Sequence, residues 1–263
     1  MPIRTITATR YVTPLREGGS LPAVVEADDA GLYVLKFRGA GQGRKALIAE
    51  LVAGELARAA GLPVPEIVFM NLDPALAQTE PDPEIQDLIK ASAGLNLALD
   101  YLPGSVTFDP LAEKPDPLLA SCIVWLDAFV TNVDRTPRNA NMLMWHRKLW
   151  LIDHGAALYF HHNWPDYLAR ATSHFALIKD HVLLDQASQL EEANRRMTAA
   201  LTPAVIDGIV ALIPDEFLDD DPMFAGDDAK QQHRDAYRQY LLKRIQSPHL
   251  FVEEAQRARS AHL

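Results

Sequence analysis

Residues 132–155 read NVDRTPRNANMLMWHRKLWLIDHG, and the fold turns on how this stretch is read. Asn139 and Asn141 follow Asp134; two short apolar runs come next; Asp153 then precedes His154 and Gly155. The runs at 142–145 and 149–152 are spaced as the arms of a hairpin. Pairing the arms brings the residues before the first arm to those after the second. Asn139 or Asn141 then comes within reach of Asp153, with Asp134 beside them. All four are hard oxygen donors of the kind Mg²⁺ prefers. A base, a carboxamide and a carboxylate in this order are the parts of a phosphoryl-transfer site. Asp134 would accept the proton of an attacking hydroxyl, and an asparagine with Asp153 would hold Mg²⁺. The plain alternative is a polar turn between two strands, and His154 reads as a hydrogen-bonded turn histidine.

Upstream, the chain reads as strands. Residues 3–12 alternate apolar and polar side chains, and 22–27 and 31–37 are two further β-rich runs joined by ADDAG. REGGS at 16–20 is a turn whose Gly18, Gly19 and Ser20 can bring backbone N–H groups to phosphates. Residues 44–60 are strong helix formers, with Gly61 placed to cap and Pro63 to stop the helix. A strand is expected at 64–72, a loop at 73–83, a short helix at 84–93 and a strand at 94–104. Beyond a proline-dotted stretch, a long helix is expected at 118–131, and from about 165 the pattern is helical throughout. The reading is an α+β protein in two lobes: a β-rich N-lobe over 1–102 with one main helix, and a mostly helical C-lobe over 103–263.

Lys36 sits inside the apolar run YVLKF, where its ammonium needs a partner or must point outward. The following helix offers Glu50 and Glu55. At about 100° per residue the apolar stripe of Leu47, Leu51, Val52 and Ala59 encloses Glu55, and Glu50 projects away from it. Geometry alone therefore favours Glu55.

Composition excludes several classes. The 263 residues, 48% of them hydrophobic, suffice for a large core. A net charge of −10 argues against direct nucleic-acid binding, because phosphates would be repelled. The single cysteine, Cys122, permits no intrachain disulfide and reads as a buried small hydrophobe. No run reaches the ~18 apolar residues needed to span a bilayer, and CIVWLDAFV is broken by Asp127. The N-terminal stretch alternates instead of forming an apolar signal core, so a cytoplasmic, membrane-free protein is expected.

The order of parts is glycine turn, strand lysine, helix glutamate, helix, Asp-x₄-Asn, hairpin and Asp-x-Gly, the layout of the protein-kinase-like fold. YVLKF, AELVAGELARAAGLPVPE, VDRTPRNANML and LIDHG together resemble HipA-like kinases, especially the compact branch without an N-terminal domain. The pattern is also similar to that of phosphoinositide and aminoglycoside kinases. The resemblance covers most of residues 15–160 and implies an ATP- and Mg²⁺-dependent kinase acting on a hydroxyl, with protein Ser/Thr the favoured acceptor. It implies that Lys36 contacts the ATP phosphates, that Glu50, eleven residues before Gly61, is the helix glutamate, that Asp134 is catalytic and that Asp153 binds metal. Asn139 fits the Asp-x₄-Asn spacing, while Asn141 directly precedes the strand; both stay open. Asp100, Tyr101 and Leu102 resemble the hinge that pairs with adenine. Two departures stand out: DHG replaces DFG, and Thr136 occupies the place of a usual histidine. HipA-like toxins pair with DNA-binding antitoxins, so a protein partner is also implied. A small-molecule kinase with a pocket near His161, His162 or Asp166 is the nearest rival, and a pseudokinase that binds nucleotide or a partner without turnover is the next.

Overall fold

The computed structural model describes residues 2–15, 21–41, 43–218 and 221–262. Five strands close into a barrel in the order β1-β2-β3-β5-β4: β1 (Thr5–Pro14), β2 (Ala23–Ala27), β3 (Leu32–Lys36), β4 (Ile67–Leu72) and β5 (Gly94–Asp100). All neighbours are antiparallel except β1 and β4, which run parallel. Period-2 alternation decides which side chains fill the barrel. Tyr33 and Leu35 point in with Val25, Val68, Met70 and Ala98. Val34 and Lys36 therefore face the other way, toward the rest of the molecule.

Helix α1 (Gly43–Ala59) packs there, between the barrel and the helical lobe. It is buried on almost its whole circumference. That is why the stripe argument for Glu55 fails to discriminate: a helix covered on both sides has no single inward face. At Gly54, where α1 approaches β4, a Cβ would lie 2.5 Å from Ile67 Cδ1, so any larger residue would have to push that side chain aside. Gly61, at φ +79°, ends the helix in a Schellman motif, with Leu62 N–H donating to Ala57 O at 2.9 Å and Gly61 N–H to Arg58 O at 3.0 Å.

Residues 73–83, expected as plain loop, hold a 3₁₀ turn at Pro74–Thr79, whose start is capped by Asp73. Helix α2 (Pro83–Ala91) follows, capped by Asp82. After β5 the chain leaves the barrel. A second sheet has the order β6 (Val106–Thr107), β7 (Met142–Trp145) and β8 (Lys148–Leu151). Helix α3 (Pro117–Phe129), capped by Asp116, lies between β6 and β7 in the chain. Next come α4 (Tyr167–Arg170), α5 (Leu190–Ala200), α6 (Pro203–Val210), α7 (Ala229–Ile245) and α8 (His249–His262).

The expectation of continuous helix beyond 165 needs correction. Residues 171–189 contain only a 3₁₀ turn, Ala176–Asp180. Tertiary donors satisfy the backbone there in place of a helix. The buried Arg244 donates to Ala171 O at 3.2 Å and Ser173 O at 3.0 Å, and Val182 N–H reaches Arg135 O at 3.1 Å. Among the described residues no helix is long and apolar enough to cross a membrane. Cys122 is buried, and burial pushes its thiol pKa up, which keeps it protonated.

Candidate active site

The face of β3 opposite the barrel interior carries Lys36 over α1. Lys36 Nζ lies 3.0 Å from Asp153 Oδ1 and 3.8 Å from Glu50 Oε2. Burial alone would push the ammonium down; Glu50 and then Asp153 more than offset it and hold its pKa above the ordinary lysine value. Burial likewise opposes ionisation of Asp153, and the Lys36 charge and hydrogen bond hold it below the usual carboxylate range. Glu55 instead pairs with Arg58 at 2.7 Å, away from Lys36.

Glu50 is tied a second time. Its Oε2 accepts the backbone N–H of His154 at 2.9 Å, and its Oε1 lies 3.3 Å from His154 Nδ1. His154 is fully buried, so it is a hydrogen-bonded histidine, but its partner is α1 and not its own turn. Asp153, at φ +54°, is thus held between a strand lysine and a residue bonded to the helix.

The loop before β7 gathers the other polar groups. Asp134 Oδ2 accepts from Asn139 Nδ2 at 2.7 Å and from Asn141 Nδ2 at 3.2 Å. Both asparagines therefore meet the same carboxylate oxygen. Asp134 N–H donates to Asn132 Oδ1 at 3.1 Å, and Thr136 and Asn139 exchange backbone bonds of 3.1 and 3.0 Å that close the loop.

Beneath this loop lies a network that sequence reasoning missed. Arg135 Nε donates to Asp127 Oδ2 at 2.6 Å, both side chains being fully buried. Arg135 Nη1 donates to the carbonyl of Asn141, which also accepts Ile152 N–H at 3.1 Å. One guanidinium so fixes the base of the hairpin, next to Asn141 (φ +49°) and Asp153. Asn132 Nδ2 donates to Asp127 Oδ1 at 2.9 Å. His181 Nδ1 accepts Leu183 N–H at 3.0 Å, so its Nε2 carries the proton and donates to Asp127 Oδ2 at 2.9 Å. Burial would raise the Asp127 pKa; Arg135 and His181 reverse this and hold it far below the usual range. The available signal was Asp127 itself, a carboxylate interrupting an apolar helix, which requires a buried partner.

Other predicted residues fall as follows. Gly18, Gly19 and Ser20 lie outside the described residues. In the Asp100–Leu102 segment, Tyr101 N–H donates to Leu32 O at 2.9 Å and Leu102 O accepts Ser105 N–H at 3.2 Å. Both groups are engaged within the chain. Burial raises the Asp100 pKa, and the Glu66 carboxylate adds to it. His161 is buried, with Nδ1 3.0 Å from Tyr237 Oη. His162 and Asp166 are exposed. The three do not form one polar pocket.

Among the described residues no three His, Cys, Asp or Glu side chains cluster as a metal centre. The oxygen donors here number one carboxylate with two carboxamides beside a second carboxylate. That set fits a cation of the Mg²⁺ type held jointly by protein and substrate phosphates, not by an all-protein cage.

A family model described as HipA-like kinase matches residues 9–253. The chain belongs to the HipA-like kinase family. This HipA-like kinase is similar in structure to the Helicobacter pylori proinflammatory kinase CtkA, at 15% identity and a TM-score of 0.57, over 100% of this chain and 99% of that one. It is also similar to the Golgi casein kinase solved with Mn/ADP bound, at 14% identity and a TM-score of 0.50, over 100% of this chain and 75% of that one. At such identities the likenesses establish the fold, which is the two-lobed protein-kinase-like one. A search of curated proteins found no match. The family makes the protein a kinase, a phosphotransferase, and sets the frame for the site.

Proposed function

We propose that this HipA-like kinase transfers the γ-phosphate of ATP, with Mg²⁺, to the hydroxyl of a protein serine or threonine. The observation that carries the reading is the convergence of Lys36, Glu50 and Asp153 within 3.8 Å, beside a loop where two carboxamides meet Asp134. Glu50 orients Lys36, and Lys36 binds phosphate oxygens. Asp153 with Asn139 or Asn141 would hold the cation, which would supply charge neutralisation to the phosphates. Asp134 Oδ2 is occupied by two amide donors, so Oδ1 faces the acceptor and takes its proton as the new O–P bond forms and the bond to the ADP oxygen breaks. Val24 and Val34, paired across β2 and β3, share the face of Lys36 and form an apolar roof for the base. Adenine pairs with backbone groups of residues 100–102 other than Asp100 N–H, Tyr101 N–H and Leu102 O, which are engaged within the chain. Gly18, Gly19 and Ser20 bring backbone N–H groups and a hydroxyl to the phosphates. The lobes divide after Leu102, and the protein works in the cytoplasm. The Ser/Thr acceptor rests on the family alone.

A thermal-shift titration with ATP and MgCl₂, run beside Asp153→Ala, tests the reading. At a nucleotide concentration of about 100 Kd the native protein gains about 2.7 kcal/mol of apparent stability. The gain requires Mg²⁺ and disappears in the variant. Absence of any shift at saturating nucleotide sinks the proposal and leaves a kinase-shaped binding protein.

A further inference from the structure

A cavity larger than the one at Lys36 lies elsewhere on the described structure. It is a cleft of ≈ 330 Å³ between the β7–β8 turn and the start of α3, against ≈ 30 Å³ for the cavity lined by Lys36, Glu50 and Asp153. Its size is at the lower end of ligand pockets. The floor is apolar: Phe108 and Leu149 are buried, and Leu119 and Met144 are half-buried. The rim carries Lys114, Arg147 and Lys148, all exposed. None of the three forms an ion pair with a described residue. Two acids also line the cleft, Glu113 and Asp116, so its three cations against two carboxylates leave one net positive charge; Asp116 sits at the N-terminus of α3, accepting from Leu118 N–H at 2.9 Å and Leu119 N–H at 3.1 Å. Three unpaired cations around one apolar cleft stand out on a protein of net charge −10.

Two apolar side chains of the chain beside the cleft are exposed. Between Phe108 and Glu113 lies Leu111, 91% exposed, and Val106 on the edge strand β6 is 63% exposed. Val106 is paired with Met144 of the cleft floor, and exposed apolar surface beside a charged rim is the anatomy of a protein-binding site. The β7–β8 turn presents its cation at some cost, because His146 (φ +48°) and Arg147 (φ +61°) both adopt the left-handed conformation that glycine tolerates best.

We propose that this cleft is a docking site for an acidic protein segment bearing an apolar anchor side chain, and that it tethers the protein acceptor; this rests on the protein-acceptor reading above. Charge selects an acidic partner, the floor takes the anchor, and the open rim with Leu111 favours an extended segment over a small ion. The cleft is far enough from the chemistry to leave it free. Met144 is three residues from Asn141 and Leu149 four from Asp153, so about 10–13 Å of strand separates docking from transfer. A bound segment can reach Asp134 with only a few more extended residues.

Fluorescence anisotropy tests this without turnover. The probes are a fluorescein-labelled peptide of Asp and Glu around a central Leu-Phe pair, the same peptide with Ser-Ser at the centre, and one with Lys replacing every acid. The native protein binds the first peptide and loses at least about tenfold in affinity for each of the others. Lys114→Glu, Arg147→Glu and Lys148→Glu combined, with an unchanged melting temperature, weakens the first peptide by a similar factor, and raised salt weakens it in the native protein. The proposal is overturned if the acidic peptide does not bind, if the triple variant binds it equally, or if the Ser-Ser or Lys peptide binds as well. The nucleotide titration of the native protein is independent, so a docking failure with an intact ATP shift leaves the kinase reading standing.

Discussion

Asp134 is the base of the proposed reaction, and its environment is unusual in one respect: two carboxamides compete for one of its oxygens. Asn139 Nδ2 is at 2.7 Å and Asn141 Nδ2 at 3.2 Å from Oδ2. An amide that donates to a carboxylate turns its carbonyl oxygen outward, and that oxygen is what a hard cation takes. Asn141 is the more constrained of the two, nearly buried and at positive φ, with its own carbonyl bound by Arg135. Asn139 is exposed. The expected behaviour separates base from ligands. Asp134→Asn keeps the Mg²⁺-dependent ATP shift and lowers turnover by about 10²–10⁴. Of Asn139→Ala and Asn141→Ala, the variant that loses the Mg²⁺ dependence identifies the metal ligand. Turnover and thermal shift measured on all three check this, and an Asp134→Asn enzyme with full activity removes the base assignment.

At the scale of elements, α1 decides whether Lys36, Glu50 and Asp153 meet. Its first turn is fastened to the segment after Asp-His-Gly. Lys45 Nζ donates to His161 O at 2.6 Å and pairs with Asp221 Oδ2 at 2.9 Å, and the same oxygen accepts Trp164 Nε1 at 2.8 Å. Glu50 lies five residues further along the helix. Lys45→Met leaves Asp221 with one donor fewer in a nearly buried place, costing about 1.5–3 kcal/mol. It also loosens the helix start, so kcat falls several-fold. Lys45→Arg restores most of both. Urea unfolding and steady-state kinetics on the pair check this, and an unchanged kcat in Lys45→Met removes the positioning role. Sequence alone could not single out this lysine, because a cation in a helix looks like a solvated side chain. The barrel strands, α1, α3 and the hairpin were legible from period and breakers. The 171–189 stretch was not, since its conformation depends on Arg135 and Arg244 arriving from elsewhere in the chain. Glu50 shows the limit of a helical-wheel argument: its partner lies outside the helix's apolar stripe, on a second covered side.

For the molecule as a whole, one apolar core runs from α1 and β5 through α3 to α8, so α1 and the outer face of the barrel share a core with the helical lobe, while the barrel interior holds a second core. The order of polar motifs was readable because chemistry fixes their residue types. The network Asp127–Arg135–His181 was not, because its members become neighbours only in the fold. Histidines set the pH response of this shared structure. His161 is buried, and burial first, then His162 and Lys45, holds its pKa well below its ordinary 6.5. His233, stacked 4.3 Å from Phe224, is also lowered, chiefly by burial, with Asp221 opposing. His162, exposed at its surface, follows the same direction through partial burial and Lys45. Below pH 6.5 the unfolded chain binds protons that the folded chain refuses. Stability from these groups is therefore complete above 6.5 and is lost as pH falls through 6.5 toward the depressed folded values, by up to about 1.4 kcal/mol per pH unit for each of the buried His161 and His233, and by less for exposed His162, where solvent screens the interaction. Urea unfolding between pH 7.5 and 5, on scales set by these pKa values, should show a steep decline in the native protein. His161→Gln removes one titrating group and flattens the slope by about one proton's worth. An identical slope in the variant means that His161 takes up its proton as readily in the folded state as in the unfolded one.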